Sequence, residues 1–143
     1  MTEPAQALSD IREDIDQAAR IARRKGEDVT LIAVSKTRTA DEIAPLLAAG
    51  HRVFGENRVQ EAQAKWPELK AKYPDLQLHL VGQLQSNKAE DAALLFDAIH
   101  SLDRPGLATA LAKAFTKTGR SVPCFVQVNI GGEEQKGGCA IAD

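Results

Sequence analysis

The sequence predicts an α/β fold, a parallel sheet in which each strand is followed by a helix. Segments with strand-like and helix-like apolar periodicity alternate along the chain, which requires helical crossovers between parallel strands. Each strand-plus-helix unit takes roughly 20–26 residues, a compact repeat of that kind. The strands also empty into polar residues at their C-terminal ends, where α/β folds place their chemistry.

The elements follow in order. Ala5 to Lys25 is a predicted helix, with Leu8, Ile11, Ile15, Ala18 and Ala22 at steps of three and four and Gly26 as its stop. The basic run Arg23-Arg24-Lys25 suits a helix C-terminus, where cations oppose the dipole. Val29 to Val34 is the first strand. Thr39 and Glu42 form a capping box that opens a helix through Ile43, Leu46 and Leu47, ended by Gly50. Arg52 to Phe54 is the second strand. A helix runs from Asn57 to about Ala71, kinked or restarted at Pro67. Leu76 to Val81 is the third strand, Ser86 to Phe96 a helix and Ala98 to Ser101 the fourth strand. Asp103 is expected to cap a helix carrying Leu107, Leu111 and Phe115 and closing at Gly119. Val122 to Ile130, the most β-branched run, is expected to be the fifth and longest strand.

An open doubly wound sheet and a barrel both fit this order. The first strand runs into Ser35-Lys36-Thr37 and not into a glycine-rich turn, which argues against a dinucleotide site. A barrel gathers strand ends at one mouth, and that is where the unusual polar residues fall.

Composition narrows the function. The 143 residues carry a net charge of −2, with 43 % hydrophobic and 27 % charged residues. This balance supports a core and gives no basic footprint for nucleic acid or an acidic membrane. No run approaches the ~20 apolar residues of a membrane helix, and the start Met1-Thr2-Glu3-Pro4 lacks signal-peptide features. The expected location is the cytoplasm. Cys124 and Cys139 form neither a disulfide framework nor a metal spacing.

Lys36 is the candidate with the most chemistry. Strand alternation puts Ile32, Val34 and Lys36 on one face and Leu31, Ala33 and Ser35 on the other. With the first set inward, the ammonium would lie on apolar surroundings. Desolvation would then lower its pKa and favour attack on an aldehyde, as a Schiff-base lysine requires. By itself the tripeptide is a weak signal and better fits a solvated lysine at a strand end.

The wider set of motifs is more specific. Leu31 to Thr37, Phe54-Gly55-Glu56-Asn57-Arg58-Val59-Gln60-Glu61, His79 to Lys88, His100-Ser101-Leu102-Asp103 and Gln127-Val128-Asn129-Ile130 occur in this order at this spacing. Together they resemble the pyridoxal-phosphate homeostasis protein family, relatives of the alanine racemase barrel domain, from about Val29 onward. The resemblance implies an N-terminal helix plus the first five βα strands of a (β/α)8 TIM-type barrel. It implies pyridoxal 5′-phosphate held as an aldimine on Lys36, with Asn57 and Val34 beside the cofactor. His79 and Ser101, on strand ends facing the same mouth, are further cofactor-binding candidates. A hydrogen-bonded core histidine and a helix cap are their alternatives. Glu56, Arg58 and Gln60 are expected to orient the loop, and Glu133 and Lys136 to form a loop ion pair.

The resemblance also implies a carrier of the cofactor and not an enzyme, because racemization needs a second acid/base group from another domain. A racemase-like enzyme is the alternative. The family's chains are longer, so residues 1–143 are expected to be the N-terminal part of a single barrel domain, a fragment without strands six to eight. Loops gripping the phosphate and an arginine facing the pyridine nitrogen would lie in that further part. Expected partners are the cofactor, apo-enzymes that require it, and a second chain completing the barrel. No metal, nucleic acid or membrane is expected.

Overall fold

A computed structural model describes residues 3–143 of the chain. Met1 and Thr2, part of the start read for signal-peptide features, lie outside the described residues. Helix α1 spans Pro4–Ile21, followed by β1 (Ala33–Val34), α2 (Ala40–Ala48), β2 (Val53–Glu56) and α3 (Val59–Lys72). Then come β3 (Gln77–Leu80), α4 (Ala89–Leu95), β4 (Ala98–Leu102), α5 (Pro105–Thr118) and β5 (Cys124–Val126). The five strands form one parallel sheet in the order β1-β2-β3-β4-β5.

That order has no reversal, and helices α2 to α5 cover the same sheet face. Phe54, Leu78, Leu80 and Ile99 pack there against Ile43, Leu47, Trp66 and Leu111 in one core. A doubly wound sheet would reverse its order and carry helices on both faces. The arrangement is the first four βα units and the fifth strand of a TIM-type barrel, preceded by α1. The opposite face is open, and Val34 and Phe125 are about half exposed on it, at 52 % and 54 %.

Several elements differ from expectation for identifiable reasons. Helix α1 stops at Ile21, and the chain turns at Arg23 (φ 58) before Gly26 starts a 3-10 turn. Only Ala33 and Val34 of the first apolar run pair with β2, in register with Phe54 and Gly55. Strand β2 extends two residues past Phe54, which places Gly55 and Glu56 inside the sheet. Helix α3 continues through Pro67 without restarting. Pro67 is exposed, so the carbonyl that its ring leaves unbonded can turn to water. The segment Ser86–Lys88 is a 3-10 turn before the short α4.

Asp103 does not cap α5, whose N-cap is Arg104. Its carboxylate instead accepts from Arg104 at 2.9 Å and from the Gly138 N–H at 3.1 Å. Strand β5 has three residues, not nine. Beyond Val126 the chain leaves β4 and pairs with the terminal loop, through a bridge between Val128 and Cys139. Glu133 and Lys136 form no ion pair. The Asn129 amide ties their loop by donating to Glu133 O at 2.7 Å.

The capping box at α2 forms, with Thr39 Oγ1 accepting from Glu42 N at 3.2 Å and Glu42 Oε1 accepting from Thr39 N at 3.1 Å. Gly119 closes α5 in the left-handed conformation (φ 70). Among the described residues no helix is long and apolar enough to cross a membrane.

Helix α1 reaches the barrel base through one polar contact with a pH signature. Arg12 Nη2 donates to His51 Nδ1 at 2.7 Å, and His51 Nε2 donates to Val53 O at 2.6 Å. The bond from Arg12 needs a ring with no proton on Nδ1, that is, a neutral ring. Burial first, then the Arg12 and Arg52 guanidinium groups, push the His51 pKa below its ordinary 6.5. Burial lowers the pKa of His79 and His100 in the same way. The unfolded chain therefore binds more protons as pH falls through about 6.5. Stability from neutral histidine is present above that pH and is lost on acidification. We expect the melting temperature to fall between pH 7 and pH 5, with a shallower slope in His51→Gln. Equal slopes in thermal melts of the two proteins would count against the His51 contribution.

Candidate functional site

The site lies where β1, β2 and β3 end. Alternation along β1 holds. Ser35 turns to the helix side and is buried, while Val34 lies on the open face. Gly55 on β2 leaves room there, since a Cβ at this position would press on Ile32 Cγ2 at 3.0 Å and Val34 Cγ2 at 3.4 Å. Ile32, Val34 and Val81 thus make a small apolar floor around a glycine.

Lys36 follows Val34 and is exposed. The apolar surroundings expected for its ammonium are absent because the open face is not covered by any described residue. Lys36 shares a shallow cavity of about 290 Å³ with Thr37, Asn57, Arg58 and Glu61. Asn57 is half-buried and packs on Gly82, whose missing side chain is essential. A Cβ there would collide with both the backbone oxygen and the side-chain oxygen of Asn57.

The turn that carries Lys36 is strained. Thr37 has φ 63, a left-handed conformation that costs a β-branched residue roughly 1–3 kcal/mol. Helix α3 holds it there. Glu61 Oε2 accepts from the Thr37 N–H at 2.6 Å. Lys65 Nζ donates to Ser35 O at 2.9 Å and to Arg38 O at 2.7 Å. The Thr37 hydrogen bond, then Lys65, keep the Glu61 carboxyl below its ordinary range, against the opposing effect of burial.

Beneath this turn lies a buried ion pair. Glu56 is fully buried and its Oε2 meets Lys65 Nζ at 2.9 Å. The same oxygen accepts from Ser35 Oγ at 2.6 Å and from Trp66 Nε1 at 2.9 Å. Glu56 Oε1 has no partner among the described residues. Glu56 therefore orients the loop from below, as expected, whereas Arg58 and Gln60 are exposed on its outside.

His79 sits on the open face opposite Gly55 in the β2–β3 register. Its Nδ1 shares a hydrogen bond of 2.8 Å with His100 Nε2. The His100 ring stacks on Phe125, with centroids 4.7 Å apart and planes 17° apart. Only one hydrogen joins the two rings, and two protonated rings could not make this contact. Ser101 does not join them. It is fully buried, and its Oγ has no partner among the described residues. It alternates with His100 and shares the face of Ile99, so it points away from the mouth and does not cap α5. The structure thus brings Lys36 and Asn57 into one cavity. Val34 and His79 lie on the adjoining open face, and Ser101 is left out.

No local pattern signals the part played by Thr37, Lys65 and the His79–His100 contact. The i,i+4 spacing of Glu61 and Lys65 is visible on α3, but not the turn they grip. Among the described residues no group of three metal-ligating side chains occurs.

Chemically, the site combines a primary amine, an amide, an apolar floor around a missing Cβ, and flat rings available for stacking. These groups suit a planar aldehyde-bearing heterocycle. A sequence model described as alanine racemase, N-terminal domain, matches residues 7–143. The pyridoxal phosphate homeostasis protein of Escherichia coli K12 is 38 % identical over 146 residues, covering 100 % of this chain and 62 % of that protein. The solved structure of PipY from Synechococcus elongatus PCC7942 with PLP bound is 43 % identical, with a TM-score of 0.75, covering 90 % of this chain and 59 % of PipY. An unknown protein from Bifidobacterium adolescentis superposes with a TM-score of 0.89 at 34 % identity, covering 98 % of this chain and 60 % of that one. The chain thus spans about three-fifths of the length of the proteins it matches.

Proposed function

Because the chain belongs to the alanine racemase N-terminal domain family, we propose that it binds pyridoxal 5′-phosphate at Lys36 and serves as a carrier in homeostasis of that cofactor. The observation that carries this reading is the accessible amine of Lys36, fixed at the end of β1 beside Asn57 and next to an apolar, glycine-floored face. PipY binds PLP, and the E. coli relative is a pyridoxal phosphate homeostasis protein. The cofactor supplies an aldehyde, with which a lysine amine condenses and releases water.

This chain's residues have separable tasks. Lys36 provides the attaching amine. Asn57, seated on Gly82, offers a hydrogen-bonding amide beside it. Val34 offers an apolar surface on the adjoining open face, and His79 presents a ring edge held by His100. Residues 1–143 act as the N-terminal part of one barrel domain. We infer a cytoplasmic location, with apo-enzymes that need the cofactor as partners. A second chain could cover the open face.

Lys36→Ala tests the reading. Wild-type protein mixed with pyridoxal phosphate should gain visible absorbance, and borohydride should fix the cofactor mass on Lys36. Both signals should vanish in the variant. Attachment that survives Lys36→Ala would sink the assignment. Racemization of an amino acid by the purified, loaded protein would instead favour an enzyme.

A further inference from the structure

We propose that Lys65, working with Glu61 and Glu56, is the positioning residue of the site, locking the strained turn that aims Lys36. The proposal rests on the reading of Lys36 as the attachment point.

The segment from Ser35 to Arg38 contains no residue that favours a left-handed backbone, yet Thr37 adopts one. Its own Oγ1 donates back to Lys36 O at 2.6 Å, which links only neighbouring residues. The Arg38 N–H also donates to Ser35 O at 3.1 Å and closes the turn, and contacts from α3 brace it from outside. Lys65 Nζ binds the carbonyls of Ser35 and Arg38, which flank Lys36 and Thr37 on both sides. Glu61 binds the N–H of Thr37 between them. Backbone freedom on either side of Lys36 is thereby removed, and only its side-chain rotations remain.

The anchor of this clamp is deep. The Lys65 side chain is 8 % exposed, and that of Glu56 is fully buried. Three protons of Lys65 meet four oxygens, those of Ser35, Arg38, Glu61 and Glu56. Glu56 is itself held by Ser35 Oγ and Trp66 Nε1. A solvated lysine at a strand end needs no such support. Buried ion pairs return little net stability, and their best-attested use is to select one conformation. Here the conformation selected is the turn around Lys36.

The clamp also gives α3 a role that burial alone does not. Trp66 and Ala62 fix the helix in the core, while Glu61 and Lys65, four residues apart, project toward the β1 turn. A change in α3 would therefore reach Lys36 without touching the cofactor.

The test uses the full chain, with pyridoxal phosphate as the probe and three variants. In Lys65→Met and Glu61→Gln, amide hydrogen exchange at Thr37 should quicken about tenfold, as loss of a charge-assisted hydrogen bond implies. Borohydride-fixed cofactor on Lys36 should fall by about the same factor at subsaturating probe. Adding Thr37→Asn to Glu61→Gln should recover part of the lost attachment, because asparagine tolerates the left-handed backbone. A loss due only to general destabilisation would not be rescued in this way. Glu61 is partly exposed, so Glu61→Gln keeps the test open where Lys65→Met does not fold. Wild-type attachment at Lys36 with unchanged attachment in a folded Glu61→Gln overturns the clamp. Absence of attachment in the wild type overturns the proposed function instead, and the positioning role with it.

Discussion

Glu56→Leu should lower the stability of the protein by about 3–5 kcal/mol, the cost of leaving one member of a buried ion pair without its partner. Glu56 is fully buried, and Lys65 is nearly so. Removing the carboxylate leaves an ammonium with two carbonyls and Glu61, but without its buried counter-charge. It also strips the acceptor from Ser35 Oγ and from the Trp66 indole N–H. For a domain of this size the melting temperature should drop by roughly 10–15 °C. The double variant Glu56→Leu with Lys65→Met should be milder than Glu56→Leu alone, because it leaves no charge buried without a partner. Denaturant titration of the three proteins checks this order. A double variant as unstable as the sum of its single changes would mean that the pair does not act as a unit.

Gly82→Ala should damage the site more than a single methyl group ordinarily would. The added Cβ has no free direction, since it meets both the main-chain oxygen and the amide oxygen of Asn57. The amide can rotate, but the backbone oxygen cannot yield without moving the β2–α3 connection. Overpacking of this kind costs roughly 1–3 kcal/mol, and we place this case at the upper end. Asn57 shares its cavity with Lys36, so cofactor attachment should weaken along with stability. Gly106→Ala, on an open stretch of α5 where a Cβ meets nothing, is the control and should leave both unchanged. Normal attachment in Gly82→Ala would show that Asn57 does not need its present seat.

The chain could be parsed where local chemistry decides the outcome. The capping box of Thr39 and Glu42, the left-handed stop at Gly119 and the alternation of Val34 with Ser35 depend on residues close in sequence. The same holds for five parallel strands with helical crossovers, because periodicity and spacing carry that information. Expectation and structure part where a distant partner sets the limit. Val122 to Ile130 has the composition of a long strand, yet pairing with β4 ends at Val126 and the terminal loop takes over at Val128. Pro67 reads as a break, but it faces water and the helix continues. Ser101 reads as a mouth residue until the pleat turns it inward.

For the site, the sequence by itself determined that an amine stands at the end of the first strand and which motifs accompany it. It also determined the face on which Val34 lies, because side-chain direction alternates at every residue of a strand. Only the tertiary structure decided that Lys36 is exposed, that Ser101 is excluded, and that Lys65 reaches across from α3 to both sides of the turn. Those outcomes depend on which surfaces meet after the helices dock. Buried charges such as Glu56 and Lys65 are settled by partners nine and 21 residues apart, whose distances no local pattern records.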